Sequence, residues 1–198
     1  MTSRGLWPTG AAPASSRSIG AIRPSALLNE EVSDTVASTI VTLNVNNHDV
    51  EFLAKPGTTL LTALREHLGL TAAKRGCAQG TCGACVVVVD DRAVPSCLLP
   101  VETIPGARVR TVEGLAPGGD LTPLQEAFVA GFATQCGYCT AGMLMSATTL
   151  LEANPEPSRD QVVQAISGNV CRCTGYEAII DAILVAAEQS RREPAAAD

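Results

Sequence analysis

The sequence predicts an α+β chain in which a strand-rich first half is followed by a helical second half. Three observations carry this. Short β-branched runs bounded by turn residues recur between Thr39 and Val112. From Thr122 onward the apolar spacing changes to the helical period. Eight cysteines divide four and four between the halves, with none left over.

Order is expected to begin near Thr39, after a disordered segment 1–38 whose start is rich in Ser, Ala, Pro and Gly and shows no apolar periodicity. Ile40, Val41, Leu43 and Val45 form one strand and Val50, Phe52 and Leu53 its return, with Asn46-Asn47 as the turn and His48 solvated at the tip. Thr58 starts a helix lined by Leu60, Leu61, Leu64 and Leu68 and ended by Gly69, with Arg65, Glu66 and His67 mostly on its polar side. Val86 to Val89 read as a buried strand, Asp90-Asp91 as a turn, and Arg108 to Val112 as a last strand. In the second half, three helix starts pair a hydroxyl with a residue three positions on that can close a capping box: Thr122 with Gln125, Ser158 with Gln161, and Thr174 with Glu177. Leu124, Ala127, Phe128 and Phe132 line the first of these helices. A second, from about Thr140 to Leu151, is apolar nearly all round and therefore central. Val162, Val163 and Ile166 face inward on a third, closed by Gly168-Asn169, and Ile179, Ile180, Ile183 and Leu184 on a fourth. Short connections between the four suggest a compact bundle. The expected domains are 39–115 and 120–190, with a flexible tail at 191–198.

The cysteines carry the chemistry. Cys77-x4-Cys82-x2-Cys85, closed by Cys97, reproduces the known plant-type [2Fe–2S] spacing. Gly76, Gly80 and Gly83 lie among these thiols, and glycine permits the tight turns and close backbone approach that converging thiolates need. Cys136-x2-Cys139 and Cys171-x-Cys173 fall in the first-to-second and third-to-fourth inter-helix connections, which can meet if they lie at the same end. Helix starts at Thr140 and Thr174 would aim positive dipole ends at an anionic group there. The expectation is one [2Fe–2S] cluster per set, with Cys77, Cys82, Cys85 and Cys97 holding one and Cys136, Cys139, Cys171 and Cys173 the other. Structural zinc is the main rival, yet zinc knuckles use two Cys-x2–4-Cys pairs per metal, which neither set matches. A disulfide framework suits a small secreted chain with a signal peptide, and no such apolar segment is visible.

The chain has 198 residues, 46% hydrophobic but only 3% aromatic, so its core must be aliphatic. A net charge of −6 without a basic stretch argues against a nucleic-acid partner. No apolar run approaches the ~18 residues of a transmembrane span. Eight reduced thiols suit a cytoplasmic location.

Three stretches carry a family resemblance: Cys77-Ala-Gln-Gly-Thr-Cys-Gly-Ala-Cys85, Gln135-Cys-Gly-Tyr-Cys-Thr-Ala-Gly-Met143 and Gly168-Asn-Val-Cys-Arg-Cys-Thr-Gly-Tyr176. Together they resemble the small iron–sulfur subunit of the molybdenum hydroxylases, the family of xanthine dehydrogenase, aldehyde oxidoreductase and carbon monoxide dehydrogenase, over roughly residues 39–189. The resemblance implies a β-grasp, plant-type ferredoxin-like domain followed by a four-helix bundle. It implies an electron-transfer subunit of an oxidoreductase whose substrate site, on a large molybdopterin-binding subunit, hydroxylates aldehydes, purines, aromatic heterocycles or carbon monoxide. Electrons would pass from molybdenum through the Cys136/Cys139/Cys171/Cys173 cluster, then the ferredoxin-type cluster, to FAD on a medium subunit or to an external acceptor. Gln135 and Cys173 match positions that contact the pterin, this chain supplies no catalytic residue, and the assembly would be a dimer of heterotrimers. The competing readings are a free-standing two-cluster ferredoxin or redox sensor, disfavoured by the helical half and Gln135, and a zinc-stabilised binding module.

Overall fold

The structure is a computed structural model and describes residues 37–192; the expectations for the segment before residue 37 and for 193–198 lie outside it. Five strands form one mixed sheet in the order β2-β1-β5-β3-β4. They are β1 (Thr39–Val45), β2 (His48–Ala54), β3 (Val86–Val89), β4 (Arg92–Pro95) and β5 (Arg108–Arg110). β1 and β5 run parallel while β1–β2, β3–β4 and β3–β5 are antiparallel. The helices are α1 (Leu60–Thr62), α2 (Pro123–Ala130), α3 (Thr140–Ala153), α4 (Arg159–Ile166) and α5 (Glu177–Arg192). Sheet and helices together make an α+β architecture.

Local chemistry explains the turns. Asn46 and Asn47 have φ of 50° and 66°, and Asp90 and Asp91 of 45° and 66°. Two consecutive left-handed residues close a two-residue hairpin with the twist the strands need, and Asn and Asp tolerate that conformation. Asn46 also fastens the first hairpin to the residue just past β5. Its Oδ1 accepts the Thr111 N–H at 2.8 Å and its Nδ2 donates to the Thr111 hydroxyl at 3.0 Å.

Strand β3 is buried on both faces, and this joins the halves. Val87 and Val89 point into the first core with Leu43, Leu60, Leu64 and Val109. Val86 and Val88, one residue out of phase, pack on Met145 of α3. Met143 of the same helix is fully buried in a separate helical core with Phe128, Ile166 and Ile183. Helix α3 therefore serves two cores, as its nearly all-round apolar sequence implies. Arg110 of β5 and Glu152 of α3 add a bidentate pair, both contacts at 2.6 Å.

Several details differ from expectation: the last strand ends at Arg110, with Val112 in a 3-10 turn, and α5 continues through Arg191 and Arg192, where the sequence predicts a flexible tail. The first helix starts one residue later, with Thr59 as its cap, and widens into a π-wound turn over Ala63–His67. The boxes at Thr122/Gln125 and Ser158/Gln161 form, but the one at Thr174 does not. The Thr174 hydroxyl donates to Cys171 Sγ at 3.1 Å, Tyr176 takes φ of 72°, and the helix begins only at Glu177. Phe132 lies beyond the end of α2 with φ of 51° and is 83% exposed, because Gly131 stops the helix one turn early. Val163 is exposed, on the rim of α4's buried stripe of Val162 and Ile166.

Candidate metal centres

The first cysteine set is built on the loop from Arg75 to Cys85. Arg65 clamps its approach, its Nη1 donating to the carbonyls of Thr71 and Ala73 at 2.7 and 2.8 Å. The Lys74 N–H closes the base by donating to the Ala84 carbonyl at 2.9 Å. Ala78, Gly80 and Gly83 all have positive φ, which turns the backbone inward. The N–H groups of Gln79 and Thr81 point at Cys77 Sγ at 3.4 and 3.3 Å. A Cβ at Gly76 would sit 2.7 Å from Cys82 Sγ, so any larger residue here would displace that thiol.

The thiols differ in environment. The Gln79 N–H and the Thr81 hydroxyl draw Cys77 down to about 6, because both stabilise the thiolate. Burial pushes Cys85 up to about 11, with Cys97 beside it. Cys85 and Cys97 are buried, whereas Cys77 and Cys82 are partly exposed.

The second set is assembled from two connections. Cys136 and Cys139 precede α3, and Cys171 and Cys173 lie between α4 and α5. Cys136 Sγ and Cys173 Sγ are 3.6 Å apart. All four thiols line one cavity of about 160 Å³, together with Tyr138 and Val170. Burial pushes Cys139 up to about 12, and the neighbouring Cys171 thiol adds to the rise. Burial also pushes Cys171 up, but hydrogen bonds from the Thr174 hydroxyl and backbone N–H outweigh it and hold that thiol below its ordinary value. Gln135 meets Cys173 directly, its Nε2 donating to the Cys173 carbonyl at 3.0 Å, with both residues exposed.

Each set offers four unpaired thiols, the number a two-iron cluster takes from a protein. A two-iron cluster takes two protein ligands at each iron.

Comparison with known proteins agrees. Residues 43–110 match the family described as "2Fe-2S iron-sulfur cluster binding domain", and residues 111–184 match "[2Fe-2S] binding domain". The chain is 53% identical over 131 residues to the nicotine 6-hydroxylase small subunit of Paenarthrobacter nicotinovorans, covering 66% of this chain and 79% of that one. It is 40% identical over 149 residues to the nicotinate dehydrogenase small FeS subunit of Eubacterium barkeri, covering 75% and 95%. The chain belongs to the small iron–sulfur subunits of the molybdenum hydroxylases. Among solved structures, a chain of quinoline 2-oxidoreductase from Pseudomonas putida 86 superposes with a TM-score of 0.75 at 46% identity, covering 78% of this chain and 97% of that one. This small iron–sulfur subunit therefore has two [2Fe–2S]-binding domains and serves electron transfer in a multi-subunit oxidoreductase.

Three contributors at these centres are not evident from cysteine spacing. Arg65 holds the loop approach, Thr174 hydrogen-bonds a thiol instead of capping a helix, and the Tyr138 hydroxyl donates across to the Arg75 carbonyl at 2.8 Å. Tyr138 and Thr174 stand beside cysteines in the family-like stretches, and that adjacency is the signal that could have found them. Arg65 gives none, since it reads as one more polar residue on a helix.

Proposed function

We propose that Cys77, Cys82, Cys85 and Cys97 hold one [2Fe–2S] cluster and that Cys136, Cys139, Cys171 and Cys173 hold the other. When bound, such clusters supply one-electron redox chemistry, which fits the chain to link a large molybdopterin-binding subunit with FAD on a medium subunit or with an external acceptor. The protein groups shape that role. Backbone N–H groups at Cys77 and the Thr174 hydroxyl at Cys171 offset thiolate charge. Buried Cys85 and Cys97 sit away from water, while exposed Cys136 and Cys173 lie where a partner can approach.

The observation that carries the reading is the exposed contact between Gln135 and Cys173. With its Nε2 committed to the Cys173 carbonyl, the Gln135 Oε1 is free to accept from a pterin edge presented by the large subunit. Gln135 and Cys173 are therefore the pterin-facing residues, and the second set lies nearer to molybdenum. In architecture, the reading is a β-grasp, ferredoxin-like domain over 39–115 and a four-helix bundle over 120–190, supported by the mixed sheet and by the contacts among α2, α3, α4 and α5.

Nicotine, nicotinate and quinoline, named in three relatives, are all nitrogen heteroaromatics. A ring of that class is the substrate proposed for the large subunit that partners this chain. A dimer of heterotrimers in the cytoplasm completes the proposal; no helix among the described residues is long and apolar enough to cross a membrane. Purification from the native source tests it. The expected result is co-elution with large and medium subunits, about two irons and two acid-labile sulfides per cysteine set, and turnover of a nitrogen heteroaromatic. Zinc without sulfide, or a chain that purifies alone, would sink it.

A further inference from the structure

The two cysteine loops are tied together by one buried side chain. Asn169 stands two positions before Cys171 and is only 3% exposed. Its Nδ2 donates to the Gly83 carbonyl at 3.0 Å, inside the loop between Cys82 and Cys85. Its Oδ1 accepts from the Ser146 hydroxyl of α3 at 2.9 Å. The next residue, Val170, donates its N–H to the Cys82 carbonyl at 2.9 Å. On the other side, the Tyr176 hydroxyl accepts the Cys171 N–H at 2.9 Å and reaches the Asn169 carbonyl at 3.4 Å.

The space around this contact is closed. A Cβ at Gly142 of α3 would lie 2.1 Å from the Gly83 carbonyl oxygen. A Cβ at Gly83 would lie 2.5 Å from the Gly168 carbonyl and 2.6 Å from Asn169 Nδ2. Two glycines thus bring loop and helix into backbone contact, and Asn169 occupies the junction.

We infer that Asn169 is a positioning residue that fixes the separation and relative orientation of the two cysteine sets. This rests on the reading that each set holds a cluster. Asparagine suits the task because it offers a donor and an acceptor on one short side chain. Aspartate would set a carboxylate oxygen against the Gly83 carbonyl. Alanine would remove the hydrogen-bond partner of Ser146 and one of the two donors to Gly83, leaving only the Val86 N–H. Electron exchange and magnetic interaction between two centres both weaken steeply with distance, so a loosened junction acts on transfer between the sets before it acts on either set alone.

The test uses the intact complex with Asn169→Ala and Asn169→Asp. Iron and sulfide content are measured first, then low-temperature electron paramagnetic resonance of the fully reduced protein, then the rate at which an electron leaves one centre and reduces the other. The expected result is full iron content, loss of the mutual magnetic broadening of the two signals, and slower exchange between the centres. Wild-type broadening and wild-type exchange in a fully loaded variant would overturn the inference. If Asn169→Ala does not load, Asn169→Asp, which keeps the size and the acceptor for Ser146, decides by the same two readings. Wild-type protein with no acid-labile sulfide would fail the cluster reading itself, whatever Asn169 does.

Discussion

The first cysteine set takes three thiols from the single loop Arg75–Cys85, and the second takes two from each of two loops that only the helices bring together. The first loop is held by its own short-range bonds, such as the Lys74 N–H to the Ala84 carbonyl. The second depends on where α3, α4 and α5 place their ends. The sets also face differently, since Cys85 and Cys97 are buried whereas Cys136 and Cys173 are exposed. A locally built, partly sunken centre suits a protected relay, and a tertiary-built, exposed one suits docking against a partner.

The largest effect is expected from the thiols themselves. Cys139→Ser should remove the second cluster and leave the first, so that one of the two resonance signals disappears and about half the iron remains. Simultaneous loss of both signals would show that the centres do not load independently. Next in size is the seam between the halves. Met145→Ala empties a fully buried site against Val86 and Val88, and should cost about 2–5 kcal/mol in denaturant unfolding of the loaded chain. Gln135→Ala should leave iron and sulfide intact but lower the molybdenum content of the purified complex; unchanged molybdenum would remove Gln135 from the pterin-facing surface.

Smaller effects sharpen the contrast between the halves. Thr122→Ala breaks the formed capping box of α2 and should cost about 1 kcal/mol. Thr174→Ala should shift the second centre's potential, because that hydroxyl donates to Cys171 Sγ, and should also loosen the entry to α5, where the same oxygen accepts the Tyr176 N–H at 3.2 Å. The smallest is Glu102→Ala. The Gly57 N–H holds this carboxyl below its ordinary value. A lowered folded value means a stabilising contribution present above the ordinary 4.5 and lost as pH falls through the folded one. The gap between wild type and variant in urea midpoint should therefore be slight at neutral pH and close on acidification.

Most of this could be read locally. The Asn46-Asn47 and Asp90-Asp91 turns and the boxes at Thr122 and Ser158 all depend on neighbours in the chain, which a spacing rule captures. The failures share a cause. Thr174 carried the capping pattern, but a thiol three residues back competed for its hydroxyl. Phe132 continued the apolar period of α2 past a glycine that ended the helix. Val163 extended the stripe of α4 onto a face that leaves it 45% exposed among the described residues. Asn169 was legible as a helix terminator, whereas its bond to Gly83 spans a sequence separation of 86, which no periodicity encodes.

The double burial of β3 bears on any attempt to use the halves as separate parts. Expressing the segment up to Thr111 alone would leave Val86 and Val88 facing water where Met145 now covers them. A bare valine ribbon of that kind is an invitation to intermolecular pairing. Swapping only the sheet portion between related subunits should therefore yield insoluble material unless the matching α3 travels with it.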